Sequence, residues 1–236
     1  MDAFLLIGQS NMAGRGIIGS VPPIDPRGMM FMLRNGRWVP MSEPINPDRQ
    51  IFVEKDTDYR SGISLAASFA ESCADRFGQK VGLIPCADGG TSVSEWQPDG
   101  VLFDHAVFQT RLAMRSSELK GILWHQGESD SRDMADVSAY HDRFFAMLDE
   151  LIARIGAPES IPVVVGEVSE LMAARWPYVR EMNRVLNGIA SERENIGIAK
   201  QDGLTIGPDG IHFSGQSYRE FGRRYFDAYE KLRRES

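Results

Sequence analysis

Residues 3–12 read Ala-Phe-Leu-Leu-Ile-Gly-Gln-Ser-Asn-Met. Five apolar residues in a row, stopped by a glycine and then by three polar side chains, describe a strand buried on both faces that ends in a tight turn. Short apolar runs of the same kind recur at Val81–Pro85, Gly121–Trp124, Ile161–Val168 and Ile196–Ala199. Between them the apolar period changes to that of a helix. Leu65, Phe69, Cys73 and Phe77 step by four, and Val137, Tyr140, Phe144, Leu148, Leu151 and Ile155 step by three or four. Tyr218, Phe221, Tyr225, Tyr229 and Leu232 do the same behind Ser214, a suitable N-cap. Strand–helix–strand alternation implies an α/β fold with a parallel, doubly wound sheet. With no internal repeat and no low-complexity segment, residues 1–236 read as one domain.

One stretch departs from this rhythm. Residues 14–62 are rich in Pro, Asn and Gly, with no sustained period, and predict a long loop. The Met29-Met30-Phe31-Met32 cluster inside it reads as loop packing. The loop leaves from the end of the first strand. Open α/β sheets bind ligands at the carboxyl ends of their strands, so it is expected beside the active site.

Composition excludes several classes of function. Lys and Arg number 26 against 33 Asp and Glu, a net charge of −7, which argues against a nucleic-acid partner. Cys73 and Cys86 are too few for a disulfide framework. The opening segment has no basic region and its apolar run stops at Gln9; no signal peptide is read, and a cytoplasmic location is expected. No stretch is long enough to span a bilayer, so no membrane partner is expected. Oligomeric state leaves no mark on the sequence.

Polar residues suited to chemistry gather at the strand ends: Gln9-Ser10-Asn11, Asp88-Gly89-Gly90-Thr91-Ser92, His125-Gln126-Gly127-Glu128-Ser129-Asp130 and, after the last strand, Asp209-Gly210-Ile211-His212. Acyl transfer by serine needs a base to take the hydroxyl proton and a carboxylate to orient that base. Ser10, on the turn after the first strand, would project its oxygen into the crevice. His141 lies beside a helical apolar stripe and His105 follows Asp104 at a helix start, so both read as structural. His125 sits at a strand end near the site. His212 has Asp209 three residues ahead, within reach of one ring nitrogen, leaving the other for Ser10. Oxyanion donors are available from the Ser10 N–H, the glycine nest at 89–91 and the Gln126 amide. Two other readings compete: a metal hydrolase using His125, Glu128, Asp209 and His212, and a sugar-binding module without catalysis. The first lacks a known ligand spacing and leaves Ser10 without purpose; against the second, no catalytic group is missing.

Gly8-Gln9-Ser10-Asn11-Met12, Gly89-Gly90-Thr91-Ser92, His125-Gln126-Gly127-Glu128 and Asp209-x-x-His212 together resemble the sequence blocks of the SGNH hydrolase superfamily, in particular its carbohydrate esterase family 6 branch. That branch contains acetylxylan esterases and is related to sialate O-acetylesterases. The resemblance covers nearly the whole chain in the right order. It implies a flavodoxin-like three-layer α/β/α sandwich and hydrolysis of O-acetyl esters on small sugars or oligosaccharides, with no metal or cofactor. It implies Ser10 as nucleophile, Asp209 and His212 completing the triad, and an oxyanion hole of the Ser10 N–H, the Gly90 N–H and Gln126. The superfamily's third block usually carries an asparagine donor where this chain has His-Gln-Gly-Glu. Gln126 therefore stands as a substitute donor, and Glu128 competes with Asp209 as the partner of His212, Asp209 being preferred on local spacing. Arg60, Trp96, Gln9 and Asn11 complete the expected substrate-binding set. Trp96 would stack on a sugar ring and Arg60 would bind a substrate oxygen, while Gln9 and Asn11 also fix the nucleophile turn by hydrogen bonds.

Overall fold

A computed structural model describes residues 1–47 and 60–235. Seven strands form one sheet: β1 (Asp2–Gly8), β2 (Met30–Arg34), β3 (Arg37–Pro40), β4 (Val81–Pro85), β5 (Glu118–His125), β6 (Val163–Gly166) and β7 (Ile196–Ala199). Their order is β3-β2-β4-β1-β5-β6-β7, and every neighbouring pair is parallel except β2 with β3. The helices are α1 (Ser10–Ala13), α2 (Leu65–Phe77), α3 (Val101–Ala113), α4 (Met134–Ile155), α5 (Val179–Glu192) and α6 (Gly215–Glu235).

Alternation along β1 explains the layers. Ala3, Leu5 and Ile7 face a core shared with α3, α4 and α5, whereas Phe4 and Leu6 face a second core built with α2 and α6. A strand covered on both sides must be apolar at every position, which is why the run at 3–7 is continuous. Phe4 meets Phe69 of α2 and Tyr229 of α6 edge-on, at centroid distances of 4.9 and 5.0 Å. Such pairs each add about 0.5–1.5 kcal/mol beyond their area burial. The Ser214 hydroxyl accepts the Ser217 N–H at 3.2 Å and caps α6 as expected; Asp133 caps α4 through the Ala135 N–H at 2.8 Å. This is the three-layer α/β/α architecture expected from the sequence.

The reading of residues 14–62 as a loop without regular structure is corrected. Met30–Arg34 and Arg37–Pro40 form an antiparallel hairpin that extends the sheet beyond β4. The signal was present in Asn35-Gly36, whose φ angles of 50° and 72° make the tight turn that joins two strands. Met30 and Met32 are buried strand residues of the α2/α6 core, not loop packing. The remainder of that expectation falls partly on residues 48–59, which lie outside the described residues.

The chain passes from β1 to β2, β3 and β4 on one side, then to β5, β6 and β7 on the other, so β1 marks the topological switch point. The ligand crevice of such sheets opens there, at the carboxyl ends. Gly8, the last residue of β1, has φ +127°. A Cβ on it would run into the carbonyl oxygen of His125. Only glycine lets the two backbones meet this closely. Gly8→Ala is expected to lower stability by about 3–5 kcal/mol, the range for a backbone clash combined with forbidden φ, read from the shift of the urea unfolding midpoint.

Candidate active site

The Gln9 N–H donates to the carbonyl of His125 at 2.9 Å, and the Gln9 carbonyl accepts from Met12 and Ala13 at 3.0 Å each. These bonds turn the chain from β1 into α1, a single turn whose first residue is Ser10. Ser10 and His212 are nearly buried, at 5% and 8% exposure. Ser10 Oγ lies 2.8 Å from His212 Nε2, and His212 Nδ1 lies 2.7 Å from Asp209 Oδ2. The other oxygen of Asp209 accepts the N–H groups of Ile211 (2.9 Å) and His212 (3.0 Å). The carboxylate is thus fixed to the backbone of its own turn. Burial works against its charge, but the hydrogen bonds from His212 and Ile211 outweigh it and hold Asp209 below its ordinary value of 3.8. Asp209 therefore stays ionised wherever an imidazole is neutral. Its ionised form favours the folded turn above its unfolded value, and that contribution is lost only as pH falls through the depressed folded value.

Glu128, the competing carboxylate, faces elsewhere. Its Oε1 accepts from Asn11 Nδ2 at 2.6 Å and faces His125 Nε2 at 3.2 Å. Asp209 is the carboxylate on His212. His141 sits in α4 against Glu192 and Asp142, and His105 lies in α3. Among the described residues no group of three or more His, Cys, Asp or Glu side chains is arranged to hold a metal ion.

Above Ser10 lies a pocket of about 130 Å³ lined by the two segments that carry Ser10 and His212, by Gly89 and Gly90, and by Glu128, Ser129, Arg132 and Trp176. Gly90 has φ +76°, and a Cβ on Gly89 would stand 2.6 Å from Arg15 Nη2. Among the described residues no acceptor takes the N–H of Ser10 or of Gly90.

Four expectations are corrected. Gln126 is fully buried and lines no part of the pocket. Its Nε2 faces Gln9 Oε1 (3.1 Å), the Thr91 carbonyl (2.9 Å) and Asp130 Oδ2 (2.5 Å). Two amide protons are used up by three acceptors, so Gln126 braces the segments before Ser10 and after Gly90 instead of facing an oxyanion. Burial pushes Asp130 up to about 6 against the hydrogen bonds from Gln126 and Val93. Trp96 is 1% exposed, donates to Thr91 Oγ1 at 3.1 Å and packs edge-on against Trp124, so it offers no face to a sugar. Arg60 is exposed and outside the pocket lining. Asn11 is fully buried: it braces the turn that carries Ser10 but does not line the pocket. Gln9 does both, accepting the Ser129 N–H at 3.2 Å while lining the pocket.

Sequence reasoning missed Trp176 and Arg132. Trp176 is buried at the pocket wall, with the guanidinium of Arg132 5.3 Å and that of Arg175 5.1 Å from its ring centroid. Arg132 sits seven residues past His125 on the same strand-end segment, and Trp176 follows β6. Their distance from a strand end was the available signal, and it does not distinguish them from their neighbours.

A serine turn after β1, a glycine turn after β4 and an Asp-x-x-His turn after β7 are the features of an SGNH-type hydrolase. Residues 1–231 match the family described as "SASA: Carbohydrate esterase, sialic acid-specific acetylesterase". The chain belongs to this family of carbohydrate esterases and is an esterase of the carbohydrate acetylesterase type. It is 27% identical to the probable carbohydrate esterase At4g34215 of Arabidopsis thaliana over 96% of this chain and 89% of that protein. The structure of the Arabidopsis protein superposes with a TM-score of 0.83, at 25% identity and 98% coverage of both chains. Among more distant folds, NanS aligns with a TM-score of 0.77 at 17% identity, covering 99% of this chain and 98% of that one. XAC1771, a carbohydrate acetylesterase from Xanthomonas citri, aligns at 0.66 and 16% identity, covering all of this chain and 57% of its own.

Replacing Asp209 by Asn removes the charge facing Nδ1 and leaves an amide that can select the wrong ring tautomer. The expected result is a fall in kcat of about 10³–10⁴-fold. Steady-state kinetics of the variant beside the wild type at one fixed pH check this.

Proposed function

We propose that the protein removes O-acetyl groups from carbohydrate through an acetyl-Ser10 intermediate. The observation that carries this reading is the Ser10–His212–Asp209 hydrogen-bond chain set beside the open N–H groups of Ser10 and Gly90. Ser10 Oγ attacks the acetyl carbonyl while His212 Nε2 takes its proton. The Ser10 and Gly90 amides stabilise the oxyanion. His212 then passes the proton to the departing sugar oxygen. In the second half-reaction a water gives its proton to His212 and its oxygen to the acetyl carbon, and acetate leaves as Ser10 regains the proton. A pocket of about 130 Å³ beside Ser10 has room for a small acyl group such as acetyl.

Acetylxylan-type oligosaccharides and acetylated sugar acids such as sialates are both substrates of this chemistry. Arg132 and Arg175 favour the acid. Arg132 lines the pocket, and the guanidinium groups of Arg132 and Arg175 both approach the Trp176 ring in its wall, although the chain carries a net charge of −7. An exposed guanidinium beside an aromatic face at the pocket rim suits a carboxylate-bearing ring.

The esterase reading is tested with 4-nitrophenyl acetate and a chelator present throughout. Ser10→Ala is expected to lose activity by about 10³-fold or more; equal rates in variant and wild type would sink it. For the substrate, Arg132→Gln should raise KM about tenfold for an acetylated sugar acid and less than about twofold for a neutral acetylated xylo-oligosaccharide. Equal effects on the two would remove the case for the acid.

A further inference from the structure

Ser10 and His212 stand 202 residues apart in the chain, yet their contact must hold to a fraction of an ångström for proton transfer. One residue further along on each side, a second bond crosses the same gap. Asn11 Oδ1 accepts the Phe213 N–H at 3.2 Å, parallel to the Ser10–His212 contact. The same oxygen accepts the Tyr218 hydroxyl of α6 at 2.6 Å. The other end of the amide, Nδ2, donates to Glu128 Oε1 at 2.6 Å. Asn11 is wholly buried and Glu128 is 1% exposed.

The two ends of the Asn11 amide cannot be exchanged. Phe213 and Tyr218 both require an acceptor, and a carboxylate at Glu128 requires a donor. Glu128 is in turn held from behind. Tyr225 donates to the Trp124 carbonyl at 2.9 Å, and the His125 ring lies between Tyr225 and Glu128, with Nδ1 3.0 Å from the Tyr225 oxygen and Nε2 3.2 Å from Glu128 Oε1. Burial opposes ionisation of Glu128, but the field of His125 and the hydrogen bonds from His125 and Asn11 outweigh it, leaving the carboxyl below its ordinary value.

We propose that Glu128 and Asn11 are positioning residues for the proposed acyl transfer. The Glu128 carboxylate sets the orientation of the Asn11 amide, and Asn11 staples the nucleophile turn to the turn that carries the base. Neither side chain touches the reacting atoms through this bond. The inference rests on Ser10 and His212 acting as nucleophile and base.

The test is an exchange of the two ends. Asn11→Asp sets a carboxylate against Glu128 and replaces an attraction with a repulsion. Glu128→Gln combined with it restores the bond with the donor on the other side. The amide nitrogen introduced at position 128 can donate to the carboxylate introduced at position 11, while Phe213 and Tyr218 keep their acceptor. With 4-nitrophenyl acetate, Asn11→Asp is expected to lower kcat about 100-fold with KM within about threefold of wild type. The double variant should recover at least about tenfold of that loss, a coupling that two independent defects would not show. A folded Asn11→Asp protein with wild-type kcat overturns the staple, as does a folded double variant no faster than Asn11→Asp. Should either charged variant fail to melt cooperatively, Asn11→Ser replaces them: a roughly tenfold loss of kcat at unchanged KM supports the proposal, and wild-type kcat overturns it. A wild type that does not hydrolyse the ester, or whose Ser10→Ala variant is equally active, overturns the esterase reading and the staple with it; an active, Ser10-dependent wild type with an indifferent Asn11 overturns the staple alone.

Discussion

At the end of β1 the backbone of Gly8 presses against the carbonyl of His125 so closely that no side chain fits between them. The rest of the site depends on that approach. It brings β1 and β5 to a common end, lets the Gln9 N–H take the His125 carbonyl and turns the chain at once into α1. Ser10 then stands over the switch point of the sheet with its side chain toward the turn from β7. A larger residue at position 8 would push the strands apart where Ser10, the glycine turn and the Glu128 segment must converge.

Beneath the pocket, two buried polar networks hold the strand-end segments in register. Gln126 and Asp130 tie the turn before Ser10 to the glycine turn, and Glu128, His125 and Asn11 tie it to the α6 side. Buried charges of this kind add little net stability, because desolvation consumes most of the attraction. Asp130, pushed up to about 6, shows the penalty where hydrogen bonds do not balance burial; Glu128, held low by His125, shows the balance reversed. What such networks supply is direction: each donor and acceptor has one arrangement that satisfies its neighbours, and that arrangement fixes the segments above. The reactive side chains themselves sit on short turns, where no helix or strand would otherwise hold them.

Residues 14–62 show how a local signal was outweighed. Proline, asparagine and glycine dominate the stretch, but Asn35-Gly36 between Met30–Arg34 and Arg37–Pro40 is a hairpin turn, and the alternating burial of Met30 and Met32 is that of a strand. The run of methionines hid it, because methionine has no strong strand preference and the hairpin lies at the edge of the sheet. Trp96 misled in the opposite way. An aromatic residue beside a glycine turn reads as a sugar platform, yet the three-residue step from Val93 to Trp96 in a short helical turn aims the ring at Trp124 in the core.

Read alone, the sequence determined five of the six mutually parallel strands, the covering helices at 65–77, 134–155 and 215–235, and the pairing of Asp209 with His212. Each of these is local. Apolar period, capping residues and a three-residue side-chain spacing are written in consecutive positions. Tertiary structure alone decided what Glu128 meets, which way the Gln126 amide points and which tryptophan walls the pocket. Those choices depend on partners from distant segments: Asp130 and Thr91 claim both protons of Gln126, Asn11 and His125 claim Glu128, and the end of β6 brings Trp176 to the mouth that Trp96 does not reach. A polar side chain has several possible partners in sequence and only one set in space, and burial makes that set obligatory.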